Sequence, residues 1–360
     1  MRYKTDKNST QSAYMQLYSQ LKKDIVSGAY PLGAKLPSKR LLSEEAGVSV
    51  ITVEHAYQLL SDEGYTEPRQ RSGYFVIYKQ SDFNSSDNEP RSIAPLTPNL
   101  HEAVNTIPFS VISRCMRRVI QEYGERLLVK SPNHGCSELR GAISRYLARS
   151  NGISANPEQI IIGSGAEYLY SLILQLLGND RVYGLEAPSY EKIRKVYIAS
   201  GAKCDMLKLA SDGIKSGELE RTEATVLHVT PFNSYPSGVT ATASKRYEYL
   251  RWAEKGNRFI IEDNYDSELT VSTKNEDTLF TLSEHGSVIY LNTFSRTVAP
   301  SVRVGYAILP EQLLPDFEKK LGFYSCTVPV FEQYVLAELI ESGDFERHIN
   351  RVRRARRKQK

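Results

Sequence analysis

The stretch NTFSRTVAPSVRVGYAILP, Asn292 to Pro310, follows the apolar run VIYL and itself ends in a second one, GYAIL. Two short apolar runs around a polar loop predict strand, loop and strand. Ser295 and Arg296 fall just beyond the first run. Arginine keeps its proton, with a pKa above about 12, and its nitrogens are delocalised, so Arg296 can neither attack a carbonyl nor act as a base. Its planar fork suits phosphate or carboxylate instead.

Outward from this loop, helical patterns such as ELRGAISRYLARSNG and EYLYSLILQLLG alternate with the apolar runs QIIIG, RVYGLE, TVLHVT, RFIIED, VIYLNT and RVGYAILP. That alternation predicts an α/β domain with a mostly parallel sheet. Ligands in such sheets bind beyond the carboxyl ends of the strands. There the sequence places Ser164-Gly165-Ala166, a small-residue turn whose N–H groups can cradle a phosphate. It also places Asn233 in PFNSYPSGV, Asp263 and Tyr265 after RFII, and Tyr190 after LEAPS. Asp263 and Tyr265 are two apart and share a face of an extended segment. An aspartate beside a pyridine nitrogen keeps it protonated, a phenol or amide holds a ring oxygen, and Tyr190 can stack on a ring face. Lys245 reads as an exposed position near a helix start, and Lys192 belongs to a different element from the loop, so neither offers an amine beside Arg296.

The first eighty residues read differently. Tyr14, Leu17, Leu21 and Ile25 recur at helical spacing before Gly28. A second helix is expected after Pro37, capped by Ser38, with Leu41, Leu42 and Ala46 inward and a stop at Gly47. A third opens at Ser49 with Val53, Ala56, Tyr57 and Leu60 on one stripe, leaving Val50, Ile51, Thr52 and His55 near its exposed start. This is the spacing of a helix-turn-helix, and TEPRQRSGYFVI adds two strand-like pieces around a basic turn, a wing. Residues 79–99 are Ser-, Asn-, Asp- and Pro-rich and read as a tether. The expected division is 1–78 for the winged helix, 79–99 for the linker, 100–346 for the large domain and 347–360 for a basic helix.

The net charge is +4, yet residues 347–360 carry 8 Lys/Arg and no acid, and residues 1–80 carry 11 Lys/Arg against 8 Asp/Glu. Basic character therefore sits at the two ends, where a polyanion would bind. Cys115, Cys136, Cys204 and Cys326 form no CxxC pair and have no histidine at ligand spacing, so reduced thiols and no metal site are expected. The polar amino terminus and the lack of a long apolar run point to a cytoplasmic protein with no membrane partner.

The segments PLGAKLPSKRLLSEEAGVS, TVEHAYQLLSDEGY and RSGYFV resemble the winged helix-turn-helix of the GntR family of transcription regulators, over roughly residues 12–78. The resemblance implies DNA contacts from Arg40, Ser49 and Thr52, with Arg71 and Gly73 in the wing. Val50 stands where the family usually has arginine, exchanging a guanidinium for an apolar group that can touch a thymine methyl.

Together with TPFNSYPSGV, IEDNYDSEL and NTFSRTVAPSVRVGYAILP, the chain resembles the MocR subfamily of GntR regulators, in which the winged helix is fused to a fold-type I aminotransferase-like domain. That resemblance implies pyridoxal phosphate as cofactor, a Schiff-base lysine at the position of Arg296, Arg303 near the phosphate, and a head-to-tail homodimer on double-stranded operator DNA. The basic carboxyl-terminal run resembles the helix that leads to a further small domain in the family, so that domain is expected to be missing. The RVRRARRKQK tail is expected to be a solvated, frayed helix end rather than a nucleic-acid contact.

With arginine at 296, three outcomes stay open: non-covalent pyridoxal phosphate, a different anionic effector, or an empty structural domain. The leading expectation is a DNA-binding regulator without Schiff-base catalysis. The alternative is a working aminotransferase with an attached DNA-binding domain.

Overall fold

The computed structural model describes residues 3, 5–6, 11–69, 72–78, 107–270 and 277–359. Arg71 and the expected linker 79–99 lie outside the described residues. The chain separates into two compact units; the described residues up to 78 group with Phe109–Arg117, and the second unit holds residues from Arg118 onward.

In the first unit, α1 (Ala13–Val26) buries Leu17, Tyr18, Leu21 and Ile25. Helix α2 (Lys39–Ala46) starts where Ser38 Oγ accepts the Leu41 N–H at 3.2 Å. It stops at Gly47, whose left-handed φ of 64° a side chain would strain. Helix α3 (Val50–Asp62) is capped by Ser49 and buries Val53, Ala56, Tyr57 and Leu60, the stripe expected from the spacing. Leu41 corrects the sequence reading: it is 49% exposed, and the buried face of α2 is Leu42, Ser43 and Ala46. At about 100° per residue, Leu41 points about 160° away from Ser43 and about 140° away from Ala46, so it falls off the face that Leu42, Ser43 and Ala46 define. Strands β1 (Thr66–Arg69) and β2 (Gly73–Val76) pair antiparallel, Thr66 opposite Val76, as a wing.

The second unit is built on an eight-stranded sheet. In chain order its strands are β3 (Ile160–Gly163), β4 (Val182–Ala187), β5 (Lys203–Ala210), β6 (Gly213–Ile214), β7 (Val226–Val229), β8 (Phe259–Asp263), β9 (Val288–Thr293) and β10 (Gly305–Ile308). Across the sheet they lie β3-β10-β9-β8-β7-β4-β5-β6. The central pairs β4/β5, β4/β7, β7/β8 and β8/β9 are parallel, whereas β10 runs antiparallel to both neighbours and β6 antiparallel to β5. Strands buried on both faces need side chains that pack both ways. Thus Ile261, Ile289 and Leu291 join Leu169, Ile173 and Tyr183 in one cluster. Ile260 and Val288, one residue out of phase, join Leu227, Tyr249 and Trp252 in the other.

The long helices of the chain after α3 are α4 (Phe109–Tyr123), α5 (Ser137–Asn151), α6 (Ala166–Leu177), α7 (Glu191–Ala199), α8 (Ala243–Ala253), α9 (Leu314–Leu321), α10 (Val330–Glu341) and α11 (Asp344–Gln359). Lys245, read from sequence as exposed, is buried in α8; its ammonium donates to Ser216 Oγ at 3.1 Å and pairs with Glu248 at 2.7 Å. The β5–β6 turn lies over its stem, so close that a Cβ on Gly213 would meet Lys245 Cγ at 2.6 Å.

The carboxyl-terminal helix is likewise not frayed. Phe345, Ile349 and Val352 are buried, Arg353 Nε donates to the Glu268 carbonyl at 2.6 Å, and Arg356 Nη1 donates to the Leu269 carbonyl at 3.1 Å. Two of its arginines thus dock it on the second unit. Among the described residues, no helix is long and apolar enough to cross a membrane.

Candidate functional site

Beyond the carboxyl ends of β3, β4, β7, β8 and β9 the second unit opens a cleft of about 650 Å³, with Ala166, Tyr190, Asp263, Tyr265, Ser295, Arg296 and Arg303 in its walls. One expectation from the sheet rule is therefore met in space: residues far apart in sequence meet at one edge.

At one end, Gly165 turns the chain from β3 into α6 with φ 93°. A Cβ there would lie 2.9 Å from Arg303 Nη2, so only glycine lets the guanidinium rest against the turn. Arg303 pairs with Glu167, whose other oxygen takes Lys192 Nζ at 3.2 Å. Partial burial raises the Glu167 pKa, but the Lys192 hydrogen bond and the Arg303 charge outweigh it and hold the carboxyl below its ordinary value. The Lys192 ammonium is held above its ordinary pKa, first by the Tyr190 phenol and then by Glu167.

At the other end, Asp263 closes β8 and is 2% exposed. Its Oδ2 accepts from Tyr170 OH at 2.5 Å and lies 3.5 Å from His228 Nε2, while His228 Nδ1 and Tyr197 OH are 2.7 Å apart. Burial, followed by the charge of Asp263, pushes the Tyr170 phenol well above its ordinary pKa, so it remains a donor. Asp263 Oδ1 is buried without a hydrogen-bond partner. An orphaned carboxylate oxygen costs free energy that a donor N–H on a ligand recovers. The donor set therefore fits pyridoxal phosphate: Asp263 for a ring nitrogen, the Gly165–Ala166 turn with Arg303 for a phosphate. When bound, such a cofactor would supply an electron-withdrawing ring.

Between these ends, Arg296 Nε donates to Asp266 Oδ1 at 3.3 Å. Asp266 Oδ2 also accepts from Asn233 Nδ2 at 2.9 Å and lies 3.5 Å from Arg356 Nη1. Tyr265 OH donates to the Asn233 carbonyl at 3.0 Å, and burial ahead of the neighbouring Asp266 charge pushes its phenol up to about 12. Ser295 Oγ is spent on the Val302 carbonyl at 2.7 Å. Tyr190 meets Tyr235 edge-on, centroids 6.1 Å apart.

Three residues singled out from sequence, Ser164, Gly165 and Asn233, are not in the cleft wall. Gly165 shapes the turn from behind Arg303, and Asn233, held at φ 56°, donates its amide to Asp266. Conversely, Glu167, Tyr170, Lys192, Thr230, Tyr235 and Thr293 line the cleft without having been proposed as ligands. Thr230 and Thr293 end or follow strands and were findable by the rule that found Asp263. Glu167 and Tyr170 sit in the first turns of α6, the helix that the glycine turn already marked. A second hollow of about 640 Å³, near Gly152, Phe280 and Gln312, carries one carboxylate, Glu311, and no basic side chain.

In the first unit, Arg40 and Ser49 are exposed, and Val50 and Ile51 are 41% and 65% exposed at the start of α3. Ser49 Oγ caps the Thr52 N–H at 3.1 Å and lies 2.9 Å from Thr52 Oγ1, so these hydroxyls order the helix start. Gly73 is exposed in the wing with Lys35 beside it.

Fold and cleft together define a winged-helix protein that carries a fold-type I aminotransferase-like unit. Residues 13–76 match the bacterial regulatory proteins of the gntR family, and residues 102–360 match aminotransferase class I and II. The chain is 35% identical to the HTH-type transcriptional regulator YdeL of Bacillus subtilis, over 96% of this chain and 77% of that one. It is 28% identical to the probable rhizopine catabolism regulatory protein MocR of Rhizobium meliloti, over 97% of this chain and 76% of that one. An archaeal alanine:glyoxylate aminotransferase shares the fold with a TM-score of 0.62 and 24% identity, over 67% of this chain and 62% of that one. The chain belongs to the MocR-type family of GntR transcriptional regulators, with a DNA-binding winged helix and an aminotransferase-like domain.

Proposed function

We propose that the aminotransferase-like unit is the regulator's receptor for an aromatic phosphate such as pyridoxal phosphate, held without a covalent bond. In this reading Asp263 takes the ring nitrogen, Tyr190 and Tyr265 flank the ring, and Arg303 with the Gly165–Ala166 turn takes the phosphate. Arg296 occupies the position of the Schiff-base lysine. The regulator acts as a homodimer in the cytoplasm, and Arg40, Ser49, Val50, Thr52, Arg71 and Gly73 contact operator DNA.

The observation that carries the non-covalent reading is the cleft's supply of amines. Arg296 donates to buried Asp266, and the lysine that lines the cleft, Lys192, is held as an ammonium by Tyr190 and Glu167. Neither nitrogen is a nucleophile in that state. The test is titration with pyridoxal phosphate, borohydride treatment and intact mass, beside Arg296→Lys. The wild type is expected to bind without gaining mass, and the variant to gain one cofactor. A borohydride-stable adduct on the wild-type protein would instead support a retained transaminase.

A further inference from the structure

We propose that Glu167 is a built-in competitor for the anion subsite, a proposal that rests on the anion-receptor reading above. Its carboxylate bridges Arg303 and Lys192 at the mouth of the glycine turn, one oxygen to each cation. It stands in the first turn of α6, where the N-terminal dipole favours a negative charge. That is the place an incoming anion needs, and the same three attractors serve both. A second observation in the same cleft calls for a ligand: the buried, unpartnered Oδ1 of Asp263.

Displacing Glu167 sets the ligand class. An incoming carboxylate exchanges one singly charged fork for another, and the internal one is tethered at high effective concentration, so the exchange gains little. A phosphate monoester brings a charge of about −1.5 to −2 and three acceptor oxygens, enough to engage both cations and the turn N–H groups together. Glu167 thereby rejects carboxylates by occupying their place, and it weakens phosphate binding less. On displacement Arg303 and Lys192 change partner, so the clamp reports occupancy at the mouth of the cleft.

The experiment measures affinity for pyridoxal phosphate, inorganic phosphate and nicotinate in the wild type, Glu167→Gln and Glu167→Ala, by calorimetry. Thermal denaturation confirms that each variant is folded. Both variants are expected to bind all three probes more tightly, by about tenfold for pyridoxal phosphate, with nicotinate gaining most. Unchanged or weaker binding in both variants, with wild-type binding intact, overturns the competitor and makes Glu167 a support for Arg303. Failure of all three proteins to bind pyridoxal phosphate overturns the anion-receptor reading, and the competitor with it.

Discussion

Arg296 and Asp266 form an ion pair in the cleft wall, Nε to Oδ1 at 3.3 Å, between a half-exposed guanidinium and a carboxylate that is 3% exposed. The asymmetry sets what each group does. Asp266 also holds Asn233 and Arg356, so it ties the loop after β7, the loop after β9 and the carboxyl-terminal helix to one buried charge. Asp266→Ala is expected to lower the stability of the second unit by about 1–3 kcal/mol, since its partners lose hydrogen bonds but two keep solvent. Arg296→Ala, which leaves Asp266 with two partners, is expected to cost less than about 1 kcal/mol. Urea midpoints of the two variants, compared with the wild type, check the order.

Asp263→Asn keeps a side chain that can still accept from Tyr170 but removes the charge facing a ring nitrogen. Affinity for pyridoxal phosphate is expected to fall by about tenfold or more, while affinity for inorganic phosphate stays unchanged. Equal losses for both probes would show that the aspartate supports the cleft as a whole rather than one end of it.

Three of the buried carboxyls of the second unit, Glu186, Glu262 and Glu268, are each pushed by burial to about 7. Their pKa values in the folded state exceed the ordinary value of about 4.3, so the folded state binds protons that the unfolded state has released. Stability from these groups is present at low pH, falls as pH rises from about 4.5 through about 7, and levels off above. The expected loss is on the order of a few kcal/mol for each carboxyl. Glu186→Gln, which retains an acceptor for Ser234, is expected to flatten the fall. Thermal midpoints from pH 5 to about 8 read the slope.

On the first unit, Arg40→Ala is expected to lower the slope of log affinity against log salt by about 0.9, the value of one phosphate contact. Val50→Arg is expected to steepen it by a similar amount if position 50 faces a phosphate, and to alter base preference without that steepening if it faces a base edge. Anisotropy on a duplex selected from a random pool, at several salt concentrations, separates the two. Ser49→Ala is expected to cost about 1 kcal/mol of stability through the lost cap.

Periodicity, capping and strand-end position are local properties, and the sequence was sufficient for them. It located the stripe of α3, the caps at Ser38 and Ser49, the αL stop at Gly47, and the strand end that carries Asp263. Each of these depends on a few neighbouring residues and on the backbone geometry they favour. Leu41, Lys245 and Asn233 read differently in three dimensions because their environments come from distant segments: the opposite helix face, the β5–β6 turn and the carboxylate of Asp266. Only the tertiary structure decided that Glu167 bridges Arg303 and Lys192, that Arg296 leans on Asp266, and that Arg353 and Arg356 dock the last helix. Charge pairing across long sequence separations depends on distance and burial, and neither is encoded in spacing along the chain.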